Sequence, residues 1–121
     1  MKEVKKLVDK LRHFKGVNSI FLFGSYATGK QLPFSDMDIC VIGKLSEREK
    51  GEIESLSYGK IQIVFFDELP VYIKFNVLKE GKQLFCRDTR YLHETAFRTL
   101  KEYLDFQPLL RRFERFYSVS V

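Results

Sequence analysis

Two aspartates spaced by two, Asp36-Met37-Asp38, follow the pair Gly24-Ser25 with ten residues between, and that pair closes the apolar run Ile20-Phe21-Leu22-Phe23. In an extended strand, residues i and i+2 share a face, with Cα atoms roughly 6–7 Å apart. Two carboxylates so placed repel each other unless a cation lies between them, and a divalent metal relieves the conflict. A glycine at the end of a buried strand lets the backbone approach a ligand closely. The serine adds a hydroxyl, and the residues after it can open a short helix whose free N–H groups face a phosphate. Magnesium held by carboxylates and substrate phosphates beside such a turn is the equipment of phosphoryl or nucleotidyl transfer. Taken singly, Gly24-Ser25 is an ordinary strand-ending turn, and Ser35-Asp36 is turn chemistry at a solvated strand start. Together, at this spacing, they favour a site.

The elements that must position these residues follow from hydrophobic periodicity. Val4, Leu7, Val8, Leu11 and Phe14 recur at helical spacing, predicting an amphipathic first helix that ends at Gly16. Ile20 to Phe23 reads as a buried strand, Met37 to Ile42 as a second and Ile61 to Phe66 as a third. Between the last two, Ser46 to Ser55 is polar and helical, with Ser46 as N-cap and Glu49 as its capping-box partner. Pro70 opens a helix running to about Glu80 with Gly81 as its C-cap, and Lys82 to Cys86 forms a short edge strand. From Asp88 the chain reads as helical, with Leu92, Ala96, Leu100 and Leu104 as one stripe and a break or kink at Pro108 before a last segment to about Tyr117. This order predicts one small α/β (α+β) domain over residues 1–121: a mixed sheet of three to four strands, helices on one side of it, and a C-terminal helical segment over about 88–117.

Composition bounds the answer without deciding it. The chain has 121 residues, 45% of them hydrophobic and 31% charged, enough apolar material for a core and too much for a disordered segment. Its apolar runs are strand-length, so a membrane-spanning helix is not expected, and Met1 to Asp9 lacks the apolar region of a secretory signal. Two cysteines far apart, Cys40 and Cys86, suit neither a disulfide framework nor a zinc site and point to a reducing cytoplasm. The net charge of +5 suggests a polyanionic partner such as a nucleotide. Six Lys/Arg within residues 1–15 supply most of the excess, and they read as the solvated face of the first helix rather than as a nucleic-acid patch.

The pattern G-S, ten residues, D-x-D resembles the signature of the DNA polymerase beta-like nucleotidyltransferase superfamily, and above all its minimal MNT-type branch, often paired with HEPN-domain partners. The likeness runs through the first helix, FLFGSYATG, SDMDICVI, the third strand and the helix closing as VLKEGKQLF. The resemblance implies that Gly24 and Ser25 hold the triphosphate of ATP or another nucleoside triphosphate, and that Asp36 and Asp38 bind one or two Mg2+ ions and carry catalysis. It further implies transfer of AMP onto a hydroxyl, with the tyrosine of a HEPN toxin as acceptor and this chain as the antitoxin. A second copy of the chain stays open as a further partner.

The family places a third carboxylate on the third strand, where this chain has Ile61-Gln62-Ile63-Val64. A neutral amide at Gln62 can offer magnesium an oxygen, but it can neither take a proton from an attacking hydroxyl nor add charge for a second metal. Asp67, five residues on, falls on the opposite face if the strand stays regular. Gln62, together with the aromatic and basic tail Leu109 to Phe116, therefore keeps a second reading open: a nucleotidyltransferase-like module that acts by binding its partner. Three further features read as structural. Arg87 and His93 resemble a HEPN R-x(4–6)-H motif but have Thr95 where its tyrosine would stand, so they belong to a helix start. Lys30 is a surface lysine, and Cys40 is a small core residue rather than a nucleophile.

Overall fold

The computed structural model describes residues 2–24, 37–57 and 59–117. Among these residues four α-helices and four strands follow in the order α1 (Lys2–Leu11), β1 (Val17–Phe23), β2 (Met37–Gly43), α2 (Glu47–Glu54), β3 (Ile61–Phe65), α3 (Val71–Glu80), β4 (Lys82–Cys86) and α4 (Thr89–Tyr117). The strands form one mixed sheet in the order β3-β2-β1-β4. β1 runs antiparallel to both β2 and β4, while β2 and β3 are parallel. The parallel pair is joined through α2, as a crossover requires.

Helices cover both faces of the sheet, not one as the element order suggested. On one face Ile20, Leu22, Ile39, Val41, Ile61 and Ile63 pack with Val4, Leu7 and Leu11 of α1 and Ile53 of α2. On the other, Phe21, Cys40 and Ile42 pack with Phe66, Val77 of α3 and Leu92 of α4. The reason lies in the strands themselves: alternate residues on each face are apolar, so neither face can be left to water.

The local signals act as their chemistry requires. Ser46 accepts from the Glu49 amide while the Glu49 carboxylate accepts from the Ser46 amide, the expected capping box. Gly81 ends α3, but in extended conformation; a Cβ there would lie 2.3 Å from the Val77 carbonyl oxygen, so close approach rather than a left-handed turn demands glycine. α1 stops at Leu11, short of Gly16, because the chain turns through Arg12–Gly16 to begin β1 already at Val17. α4 continues through Pro108 as one helix rather than breaking there. The proline removes one intrahelical hydrogen bond, the one its amide would have given to the Leu104 carbonyl.

Candidate active site

Phe23 at the end of β1, Asp38 near the start of β2 and Gln62 near the start of β3 stand in one row across the sheet. Asp38 shares the face of Cys40 and Ile42, and Gln62 that of Val64, so the carboxylate and the amide lie side by side on the face that α3 and α4 cover further along. The Asp38 side chain is half-buried; Gln62 is exposed. Gly24 follows directly after β1 with φ +84°, a conformation that an L side chain adopts only with strain. A Cβ on Gly24 would come within 2.9 Å of Asp38 Oδ2. The backbone conformation therefore favours glycine, a Cβ would press on the Asp38 carboxylate, and that carboxylate lies beside the turn.

Ser25 and Asp36, the other two expected site residues, and Lys30 lie outside the described residues. Among the described residues no three His, Cys, Asp or Glu side chains gather as a metal site. What the site offers is a carboxylate and an amide oxygen, both hard donors suited to magnesium, next to a glycine turn that a methyl group would fill. The donors fit such an ion.

Asp67 and Glu68 take no part here. β3 ends at Phe65 and the chain turns through one 3-10 turn over Phe66–Glu68, at the far end of the sheet from Asp38. Both carboxylates pair there with Lys50 of α2: Nζ donates to Asp67 Oδ2 at 3.0 Å and to Glu68 Oε2 at 2.8 Å. Hydrogen bonds to Glu68 and then Asp67 push the Lys50 ammonium above its ordinary pKa of 10.5, against the opposing effect of burial. Lys50 is only 8% exposed, a buried cation that sequence reasoning missed. The available signal was its place three residues before the apolar Ile53 on a short helix.

Cys40 is fully buried, two residues beyond Asp38 on the same face, and burial pushes its thiol up to about 12. It stays protonated at neutral pH and is no nucleophile, as expected. Arg87 is a clamp. Its guanidinium donates to the carbonyls of Val17, Arg12 and Phe14 and holds the turn between α1 and β1, while Asp88 caps α4 by accepting from the amides of Arg90 and Tyr91. The pairing of Arg87 with His93 thus belongs to a helix start.

The sequence profile described as Polymerase beta, Nucleotidyltransferase matches residues 5–90, well over half of the chain and including the whole row Phe23-Asp38-Gln62. The chain belongs to the polymerase beta nucleotidyltransferase family. It is an enzyme of nucleotidyl transfer, and its fold is the small nucleotidyltransferase fold. A relative from Methanocaldococcus jannaschii, named "Putative protein adenylyltransferase MJ1547", is 35% identical over 95 residues, covering 78% of this chain and 76% of the relative. Two solved structures share the fold. One chain of a toxin–antitoxin crystal structure with AMP-PNP superposes with a TM-score of 0.71 at 24% identity, covering 93% of both chains. A complex of a tri-AMPylated Shewanella oneidensis HEPN toxin with an MNT antitoxin gives 0.70 at 22% identity, covering 92% of both. No helix among the described residues of this nucleotidyltransferase is long and apolar enough to cross a membrane.

Proposed function

We propose that this nucleotidyltransferase moves AMP from ATP onto a hydroxyl of a protein partner, the tyrosine of a HEPN-type toxin, and so acts as an antitoxin. The observation that carries the reading is the place of the Asp38 carboxylate beside the Gly24 turn: an acidic group that could hold a metal lies next to the backbone that would receive a triphosphate. The name of the archaeal relative and the contents of the two solved complexes support adenylyl transfer and the HEPN partner.

In this reading the backbone at Gly24 and the hydroxyl of Ser25 would hold the triphosphate, and Asp36 and Asp38 would hold Mg2+. When bound, the ion offsets charge on the phosphates and activates the acceptor oxygen. The acceptor oxygen forms a bond to the α-phosphorus as the bond to the bridging oxygen breaks, and pyrophosphate leaves. Gln62 orients through its amide but accepts no proton, so the hydroxyl proton leaves through another group or water. General-base help contributes only about 10²–10⁴-fold, so positioning alone supports a slower transfer.

Gln62 also favours the second reading, a partner-binding module with little chemistry. Incubation of the chain with α-labelled ATP, Mg2+ and its cognate HEPN-type partner separates the two. Label on the partner, lost in Asp38→Ala, is the expected result. A complex that neutralises the partner without any label supports the module instead.

A further inference from the structure

α4 lays Leu92, Thr95 and Thr99 against the body of the protein and stacks Tyr103 on Phe75 of α3, with ring centroids 4.0 Å apart. Its opposite face carries Phe97, Leu100 and Leu104, spaced i, i+3, i+7 and exposed by 72%, 43% and 54%. The three form a ridge about 10 Å long, and a groove of about 680 Å³ lies beside Phe97. A surface helix ordinarily turns such a stripe inward. Here the inward stripe exists already, and the second one faces out.

The charges beside the ridge indicate what covers it. At the helical repeat, the exposed Arg90, Arg98, Lys101 and Arg112 fall on one flank together with Glu94 and Asp105. Arg90 is paired with Glu94 at 3.4 Å, so Arg98, Lys101 and Arg112 outnumber Asp105. A second copy of the chain, packed with antiparallel helices about a two-fold axis, would set this basic flank against its own image. Antiparallel self-association through the ridge is therefore disfavoured, and the surface that complements the basic flank is apolar with an acidic margin.

We infer that the outer face of α4 is a docking surface for a helix of a different protein, which seats its apolar side on Phe97, Leu100 and Leu104 and its acidic side on Arg98 and Lys101. This deepens the proposed function, because it rests on the reading that the nucleotide acceptor is a HEPN-type protein.

The test measures the affinity of the full chain for its cognate HEPN-type partner by calorimetry, at low and high salt, alongside sedimentation of the chain alone. Phe97→Ser/Leu104→Ser is expected to weaken binding roughly 100-fold. Arg98→Glu/Lys101→Glu is expected to weaken it by about 10-fold at low salt and to flatten its salt dependence. Both variants should keep the wild-type affinity for ATP with Mg2+, which shows that the site end of the sheet is intact. Wild-type affinity in the ridge variant overturns the inference, as does a wild-type dimer that the ridge variant abolishes. Ridge-dependent binding without label transfer leaves the docking surface standing and overturns the chemistry. Absence of any wild-type complex overturns the HEPN reading and the docking surface together.

Discussion

Gln62 stands in register with Asp38 across the parallel pair β2–β3, on the same face of the sheet. Adjacent strands lie about 4.8 Å apart, so any carboxylate placed at this position would face Asp38 directly. Gln62→Asp should create that pair. Without metal, the like charges are expected to destabilise the fold by about 0.5–1 kcal/mol, a fall in Tm of about 2–5 °C. Millimolar Mg2+ should restore it, and label transfer should rise by about 10²-fold. Thermal melts with and without Mg2+ check the first point, and a variant whose melt ignores Mg2+ would show that the two positions do not share an ion.

Gly24→Ala forces a side chain into a left-handed backbone and toward Asp38 Oδ2. The conformational cost is about 1–2 kcal/mol, visible as a modest loss in urea stability. The functional cost should be larger, a loss of transfer of roughly 100-fold or more, because the methyl group occupies the space beside the carboxylate. Comparing the loss of kcat/KM with the loss of stability separates the two effects.

Lys50→Met removes the cation that holds Asp67 and Glu68 at the far end of the sheet. Because both carboxylates are more than half exposed, the expected cost is small, about 1 kcal/mol, and transfer activity should not change. The folded pKa of Lys50 is raised, so the bound state favours the proton. Its stabilisation is therefore fully present below the ordinary value of 10.5 and is lost as pH rises through the raised value. The stability difference between wild type and variant should stay level from pH 7 to 9 and shrink only in strong alkali, which denaturant titrations at several pH values read directly.

Arg87→Ala strips the donor from the carbonyls of Arg12, Phe14 and Val17. A loss of about 1–2 kcal/mol is expected by urea denaturation. Arg87→Lys should recover less than half of it, since one ammonium cannot span acceptors that a planar fork reaches together. Unchanged label transfer in both variants would confirm a purely architectural role.

Much of this was legible in the chain itself. The periodicity of Val4 to Leu11, the capping box at Ser46 and Glu49, and the bounds of β2, β3 and α3 were readable because each depends on near neighbours. The register of Gln62 with Asp38 was also within reach, since parallel strands of fixed alternation leave few choices. The covering of both sheet faces was not read from the element order, although the apolar residues on both faces of β1 and β2 required it. Nor were the Lys50 and Arg87 contacts: each joins elements far apart in sequence, and a lone cation carries no periodic signal. Pro108 did not break α4, because the loss of one intrahelical hydrogen bond need not end a long helix. Of the four residues expected to form the site, Gly24 and Asp38 are seen to meet.

The strand order also constrains how the protein is born. β1 occupies the interior of the sheet, yet one of its neighbours, β4, is the last strand to be synthesised. During translation β1 can zip to β2 soon after both emerge, but its second edge stays bare until Cys86 has left the ribosome. Contacts over such a separation form slowly, because a long loop must close first. The nascent domain thus carries an unsealed, strongly apolar strand edge until β4 emerges, whereas the β1–β2 pairing that sets Phe23 beside Asp38 can form early.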